Sequence, residues 1–130
     1  KTFFNPKQFQ TFFLNLPKED VYKNCNTRFE TMIEKGVIDE IKALETKDFD
    51  ESLPGMKAHG VPEIRQYLQQ TMTLEEAITQ AQRNTRHYIK RQYTWFRGQM
   101  NDAIALTKSN KAAQKNEILM HIKRFLLTER

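Results

Sequence analysis

Cationic and aromatic side chains alternate between Asn84 and Arg97. This stretch holds Arg86, Lys90, Arg91 and Arg97, together with the only Trp, Trp95, and two of the four Tyr, Tyr88 and Tyr93. Guanidinium and ammonium groups bind phosphate oxygens, so cations interleaved with rings on one element fit contact with a polyanion. The run from Leu74 has no Gly or Pro before Gly98, and Thr73 followed by Glu76 reads as a capping box. One helix is therefore expected over about 74–97, roughly 36 Å long at about 1.5 Å per residue. At about 100° per residue, Leu74, Ile78, Ala81, Thr85, Tyr88, Ile89, Gln92, Trp95 and Phe96 fall within an arc of about 120°. Arg83, Arg86, Lys90 and Arg97 share a neighbouring arc of about 60°.

A run of helical charge is ordinarily a solvated face. This one has a single sign, and no Asp or Glu follows Glu76 within the helix to balance it. Arg97 also sits where the helix dipole favours a cation without any ligand. Tyr88, Trp95 and Phe96 are read as mostly packing residues. Thr85 and Gln92 lie on the same apolar arc and need partners if buried.

Two further places could meet an anion. Arg28 falls on the apolar side of a helix through Val21, Cys25, Phe29, Met32 and Ile33. It is either an edge residue whose charged head reaches water or a guanidinium held to grip phosphate. Between Gly55 and Pro62, breakers bracket Lys57, Ala58, His59 and Gly60. That loop is either an ordinary connector or a place where backbone approaches a ligand. No phosphate loop, GxGxxG, HExxH, CxxC or recognisable Ser-His-Asp set is present, and no residue can be named a general base.

The remaining elements position these groups. Phe3, Phe4, Phe9, Phe12 and Phe13 are five of the nine Phe, and 11–16 reads as one buried strand ended by Pro17. A single strand makes no sheet, so it either joins a sheet from elsewhere or lies along helices as an arm. Helices are expected at about 19–35, 37–46 and 62–70, with Gly36 between the first two. Residues 99–116 read as a polar linker and 117–128 as a terminal amphipathic helix. With 130 residues, 38% apolar and net charge +5, the chain suits one domain, or part of one, with a modest core. Cys25 alone cannot form an internal disulfide and fits a reducing compartment. No apolar run approaches the roughly 18 residues of a membrane span. The chain begins at Lys1 without Met and reads as a piece of a longer protein.

Thr85-Arg86 through Lys90-Arg91-Gln92-Tyr93-Thr94-Trp95-Phe96-Arg97 resembles the TRxxAKRQxTWFR signature of tRNA dimethylallyltransferases (tRNA isopentenyltransferases). Leu53 to Glu63 is similar to that family's A(I/V)GYxE segment. Leu16-Pro17-Lys18-Glu19-Asp20-Val21-Tyr22 through Arg28, Met32 and Gly36 is similar to its LPREELYxRIxxRVxxM helix. The motifs run in order over about residues 12–98. Asn24, His59 and Val61 depart from the family pattern.

The resemblance implies a mainly α chain, a helical fragment with one N-terminal strand, forming the C-terminal part of a P-loop-type α/β transferase. It implies residues 1–98 as part of the transferase core, lacking the P-loop half that carries the phosphate loop and the Asp base. It implies transfer of a dimethylallyl group from dimethylallyl diphosphate to N6 of the adenine 3′ of the tRNA anticodon. Arg28 would contact the diphosphate. Lys57, Ala58, His59 and Gly60, with Arg83, Arg86, Lys90, Arg91 and Arg97, would contact the tRNA anticodon stem-loop. Magnesium would be bound by the missing half. A monomeric, cytoplasmic protein that is inactive without its other half is the corresponding expectation. Without the resemblance, the residues alone leave open a stand-alone helical RNA-binding module or a helical interaction domain.

Overall fold

The computed structural model describes Asn5 and residues 8–128. Its elements are β1 (Phe12–Leu14), α1 (Lys18–Glu34), α2 (Val37–Glu45), a 3-10 turn (Pro54–Lys57), α3 (Val61–Leu68), α4 (Leu74–Gln99), β2 (Ile104–Leu106) and α5 (Lys111–Thr128). The chain divides into two compact units. One is Glu19–Arg91; the other comprises the described residues up to Lys18 and those from Gln92 onward.

In the first unit, the small core is Phe29 of α1, Ile41 of α2, Ile64 of α3 and Ala81 of α4. Ile33, Val37, Ile38, Val61, Leu68 and Ile78 pack against it. These residues recur at helical spacing on four elements, so each helix turns one apolar stripe inward. Gly36, at φ 95°, turns the chain between α1 and α2. Gly60, at φ 96°, starts α3, and a Cβ there would lie 2.5 Å from Phe29 Cε2. Only glycine permits both that left-handed backbone and that approach. Arg65 pairs with Glu45, and its Nη2 donates to Glu51 Oε1 at 3.0 Å, tying α3 to α2 and to the loop that follows it. The α4 start is reciprocal: the Thr73 amide donates to Glu76 Oε2 at 2.8 Å, and the Glu76 amide donates to Thr73 Oγ1 at 3.2 Å.

In the second unit, β1 and β2 pair in parallel, with Phe12 opposite Ile104, Phe13 opposite Ala105 and Leu14 opposite Leu106. The reading of 99–116 as linker is corrected here: it contains β2 and the first residues of α5. The strand is short and followed by polar residues, so its period never emerged from the sequence. Leu106 is fully buried, which anchors it. The orphan strand thus has a partner within the chain. The helix expected at 117–128 begins at Lys111, because Asn110 Oδ1 caps it by accepting from the Ala112 and Ala113 amides at 2.9 and 3.1 Å. Phe13 stacks on Phe96 with ring centroids 5.4 Å apart, and Tyr93 donates its hydroxyl to the Leu16 carbonyl. Gly98 does not stop α4, which runs to Gln99. Among the described residues, no helix is long and apolar enough to cross a membrane.

Candidate nucleic-acid interface

The Gly55–Pro62 segment is not a loose connector. Pro54–Lys57 forms a 3-10 turn that buries Met56, and Ala58 is extended. The chain then turns at buried Gly60 into α3. This carries His59 against α4, where its ring meets Tyr88 edge-on with centroids 5.0 Å apart.

The result is a cleft of about 270 Å³ between this loop and α4. Lys57, Ala58, His59 and Pro62 form one wall, and Asn84, His87 and Arg91 the other. Glu63 closes the floor and is only 7% exposed. Its Oε2 accepts from the Gly60 amide at 3.2 Å, and its Oε1 accepts from Asn84 Nδ2 at 2.7 Å. Asn84 Oδ1 in turn accepts from Gln80 Nε2 at 3.1 Å. Both acceptor atoms of the cleft's one carboxylate are therefore engaged inward. The outward groups are the exposed Lys57 and Arg91, flanked by two imidazoles. A polar hollow with that balance suits an anion with nearby rings or hydrogen-bonding edges.

A larger hollow of about 570 Å³ lies at the N-terminal end of α4. Glu75 and Glu76 line it and no cation does, so its sign is wrong for a polyanion. The Thr73 backbone and hydroxyl hold the Glu76 carboxyl below its ordinary value, which keeps it charged.

Of the residues singled out from the sequence, Lys57, Ala58, His59 and Arg91 come together in the cleft, and Gly60 lies buried beneath it. Arg83, Arg86 and Lys90 do not line it. On the α4 wheel, Arg83 falls about 40° from His87, so the basic stripe borders the cleft face. Among the described residues, Arg83 and Arg86 make no ion pair. Arg28 is exposed on α1 beside buried Phe29 and lines none of the clefts described. Arg97 is exposed on the part of α4 that belongs to the other unit.

Of the three rings read as packing residues, Phe96 is half-buried and stacks on Phe13, but the other two need correction. Tyr88 is 42% exposed and Trp95 59% exposed. The buried positions of α4 are Ala77, Ala81 and Ile89, two of them alanines. The large rings lie off those buried positions, at the rim of the packed face. Gln92 is likewise exposed, and Thr85 satisfies its hydroxyl by donating to the Ala81 carbonyl at 2.9 Å. Glu63, Asn84 and His87 were missed as site residues. Glu63 at the third position of α3 carried a capping signal, whereas nothing in the sequence links it to Asn84, 21 residues away.

Comparison with known proteins adds the following. A family model described as IPP transferase matches residues 1–99. A tRNA dimethylallyltransferase of Wolbachia sp. subsp. Drosophila simulans is 58% identical over 97 residues, covering 74% of this chain and 33% of that protein. One from Ehrlichia ruminantium is 52% identical over 87 residues, covering 67% and 29% respectively. The chain thus spans about a third of the length of these relatives. Among solved structures, the full-length tRNA isopentenylpyrophosphate transferase of Bacillus halodurans superposes with a TM-score of 0.81 at 32% identity, over 95% of this chain and 41% of that one. A tRNA delta(2)-isopentenylpyrophosphate transferase of Staphylococcus epidermidis gives 0.76 at 26% identity, over 88% and 38%.

Proposed function

The chain belongs to the IPP transferase family, and from that premise we propose that it is the tRNA-contacting part of a tRNA dimethylallyltransferase. The whole enzyme would transfer a dimethylallyl group from dimethylallyl diphosphate to N6 of the adenine 3′ of the anticodon. The observation that carries this role is the convergence of Lys57, His59 and Arg91 on one cleft whose sole carboxylate is turned inward. Arg83, Arg86 and Lys90 extend the positive surface along α4. Phosphate contacts of this kind position an RNA without reading its sequence.

The reaction is a direct displacement. The adenine, turned out of the anticodon loop, presents its N6 to the allylic carbon. The new C–N bond forms as the C–O bond to diphosphate breaks, and an N6 proton is lost to a base. In this reading that base and the phosphate loop belong to the P-loop half. Arg28 contributes a positive charge toward the departing diphosphate, where a fixed cation stabilises the charge that develops. The described residues hold no group of three or more His, Cys, Asp or Glu placed to bind a metal ion. By the family resemblance, magnesium is proposed to be held by the P-loop half. The protein is proposed to act as a cytoplasmic monomer.

The test is transfer of labelled dimethylallyl from its diphosphate to tRNA by the full-length protein. Arg28→Ala is expected to lower turnover by about 100-fold, and the isolated chain is expected to transfer nothing. Full turnover by the Arg28→Ala enzyme would remove Arg28 from the reaction. Absence of transfer by the intact enzyme would remove the reaction itself.

A further inference from the structure

Glu63 is the one buried polar or charged residue among the described residues of the core. It closes the floor of the cleft without being counted among the groups that meet RNA. Its two carboxylate oxygens reach in different directions: one to the Gly60 amide at 3.2 Å, the other to Asn84 Nδ2 at 2.7 Å. Gly60 belongs to the loop, and Asn84 to the cleft face of α4. Gly60 is itself fixed on the opposite side, pressed against Phe29. We propose that Glu63 is a positioning residue that locks the 57–60 loop onto α4, so that Lys57 and His59 stand opposite His87 and Arg91 as one RNA-binding cleft.

The chemistry favours this arrangement over a generic helix cap. A cap needs only the bond to the Gly60 amide. The second bond spans 21 residues and continues through Asn84 Oδ1 to Gln80 Nε2 at 3.1 Å. That three-member chain fixes the Asn84 side chain on the cleft wall. With both oxygens bonded, to Gly60 and to Asn84, the carboxylate is held in one orientation within the cleft. Glu63→Gln can keep both links: its carbonyl oxygen accepts from Gly60, while its amide donates to a flipped Asn84, which then donates to a flipped Gln80. Glu63→Ala keeps neither.

The RNA part of this proposal rests on the tRNA reading above; the locking part does not. The experiment therefore has two readouts on this chain. The first is amide hydrogen exchange at Gly60, with the nuclear Overhauser contact between the His59 and Tyr88 rings. The second is affinity for an anticodon stem-loop RNA. For Glu63→Ala, Gly60 exchange is expected to quicken about tenfold or more, the ring contact to disappear, and affinity to fall about fivefold or more. Glu63→Gln should stay near wild type on both. Asn84→Ala, which leaves the cap on the Gly60 amide intact and guards against loss of folding in Glu63→Ala, should lose the ring contact while the Gly60 amide stays protected and the chain stays folded. If the ring contact survives in both Glu63→Ala and Asn84→Ala, or if Glu63→Gln behaves like Glu63→Ala, the locking role is wrong. If exchange and ring contact respond as expected but wild type does not bind the RNA, the locking stands and the tRNA reading fails. If the lock opens while RNA affinity is unchanged, the cleft is not the RNA site and the positioning role is overturned.

Discussion

His59 meets the ring of Tyr88 edge-on, with centroids 5.0 Å apart, and so joins a loop after the 3-10 turn to the middle of the longest helix. Aromatic pairs in this geometry contribute about 0.5–1.5 kcal/mol beyond their buried area. Here the contact also holds His59, one of the residues that line the cleft, against α4. Tyr88→Ala should therefore cost little stability yet weaken anticodon stem-loop binding severalfold. Thermal melts beside a binding titration check both halves, and unchanged affinity would place the RNA elsewhere.

Gly60 and Gly36 separate two kinds of glycine requirement. Both have positive φ, but a Cβ at Gly60 would lie 2.5 Å from Phe29 Cε2, while nothing lies within 4 Å of one at Gly36. Gly60→Ala adds overpacking to backbone strain and is expected to cost about 2–4 kcal/mol. Gly36→Ala carries strain alone, about 1 kcal/mol. Denaturant melts of the two variants should differ in that order; equal losses would mean that Phe29 moves aside freely.

The Glu76 cap makes part of the stability pH-dependent. Hydrogen bonds from Thr73 lower its folded pKa from 4.5. A lowered folded pKa contributes stability that is complete above the unfolded value and is lost as pH falls through the folded one. Stability should thus decline below about pH 4.5 partly through this group. Glu76→Gln keeps the capping geometry but removes the titration, so its acid-side decline should be shallower in melts across pH 3 to 6, roughly the range where carboxylates titrate. An identical decline would exclude the cap as a contributor.

Trp95 is the only Trp and is 59% exposed. Its fluorescence should be red-shifted and readily quenched by a soluble quencher in the free chain. Blue-shifted, protected emission would contradict the exposed placement.

The long helix was legible because its start carries a reciprocal cap, Thr73 with Glu76, and no breaker interrupts it before Gly98. The hairpin at Gly36 and the start of α3 near Pro62 were legible for similar local reasons. The role of each face of α4 was not. The wheel places Tyr88 and Trp95 beside Ala81, but which part of an apolar arc is buried depends on what packs against it, and here the buried positions are Ala77, Ala81 and Ile89. Strand β2 was hidden because Ile104–Leu106 is too short for a period to show, and its partner Phe12–Leu14 is some ninety residues away by the register Phe12 to Ile104. Within the site, the cations were legible as residue types in a recognisable order. The Glu63–Asn84 bond that organises them was not, since hydrogen bonds across 21 residues leave no spacing signal.

Each basic residue bordering the cleft should act additively on RNA. Arg83→Ala and Arg86→Ala are each expected to reduce the salt slope of binding by about one, with similar losses for related and unrelated stem-loops. A variant that alters preference among RNAs instead would indicate base contact.

The central claim, that this chain presents a positive surface to tRNA, is tested most directly by the affinity of the wild-type chain for an anticodon stem-loop as salt is raised. The expected result is binding whose logarithm falls linearly with log salt at a slope of about −2 to −4, steep enough to lose roughly ten- to a few hundred-fold in affinity between about 50 and about 200 mM. Binding with no salt slope, or no binding at low salt, would contradict it.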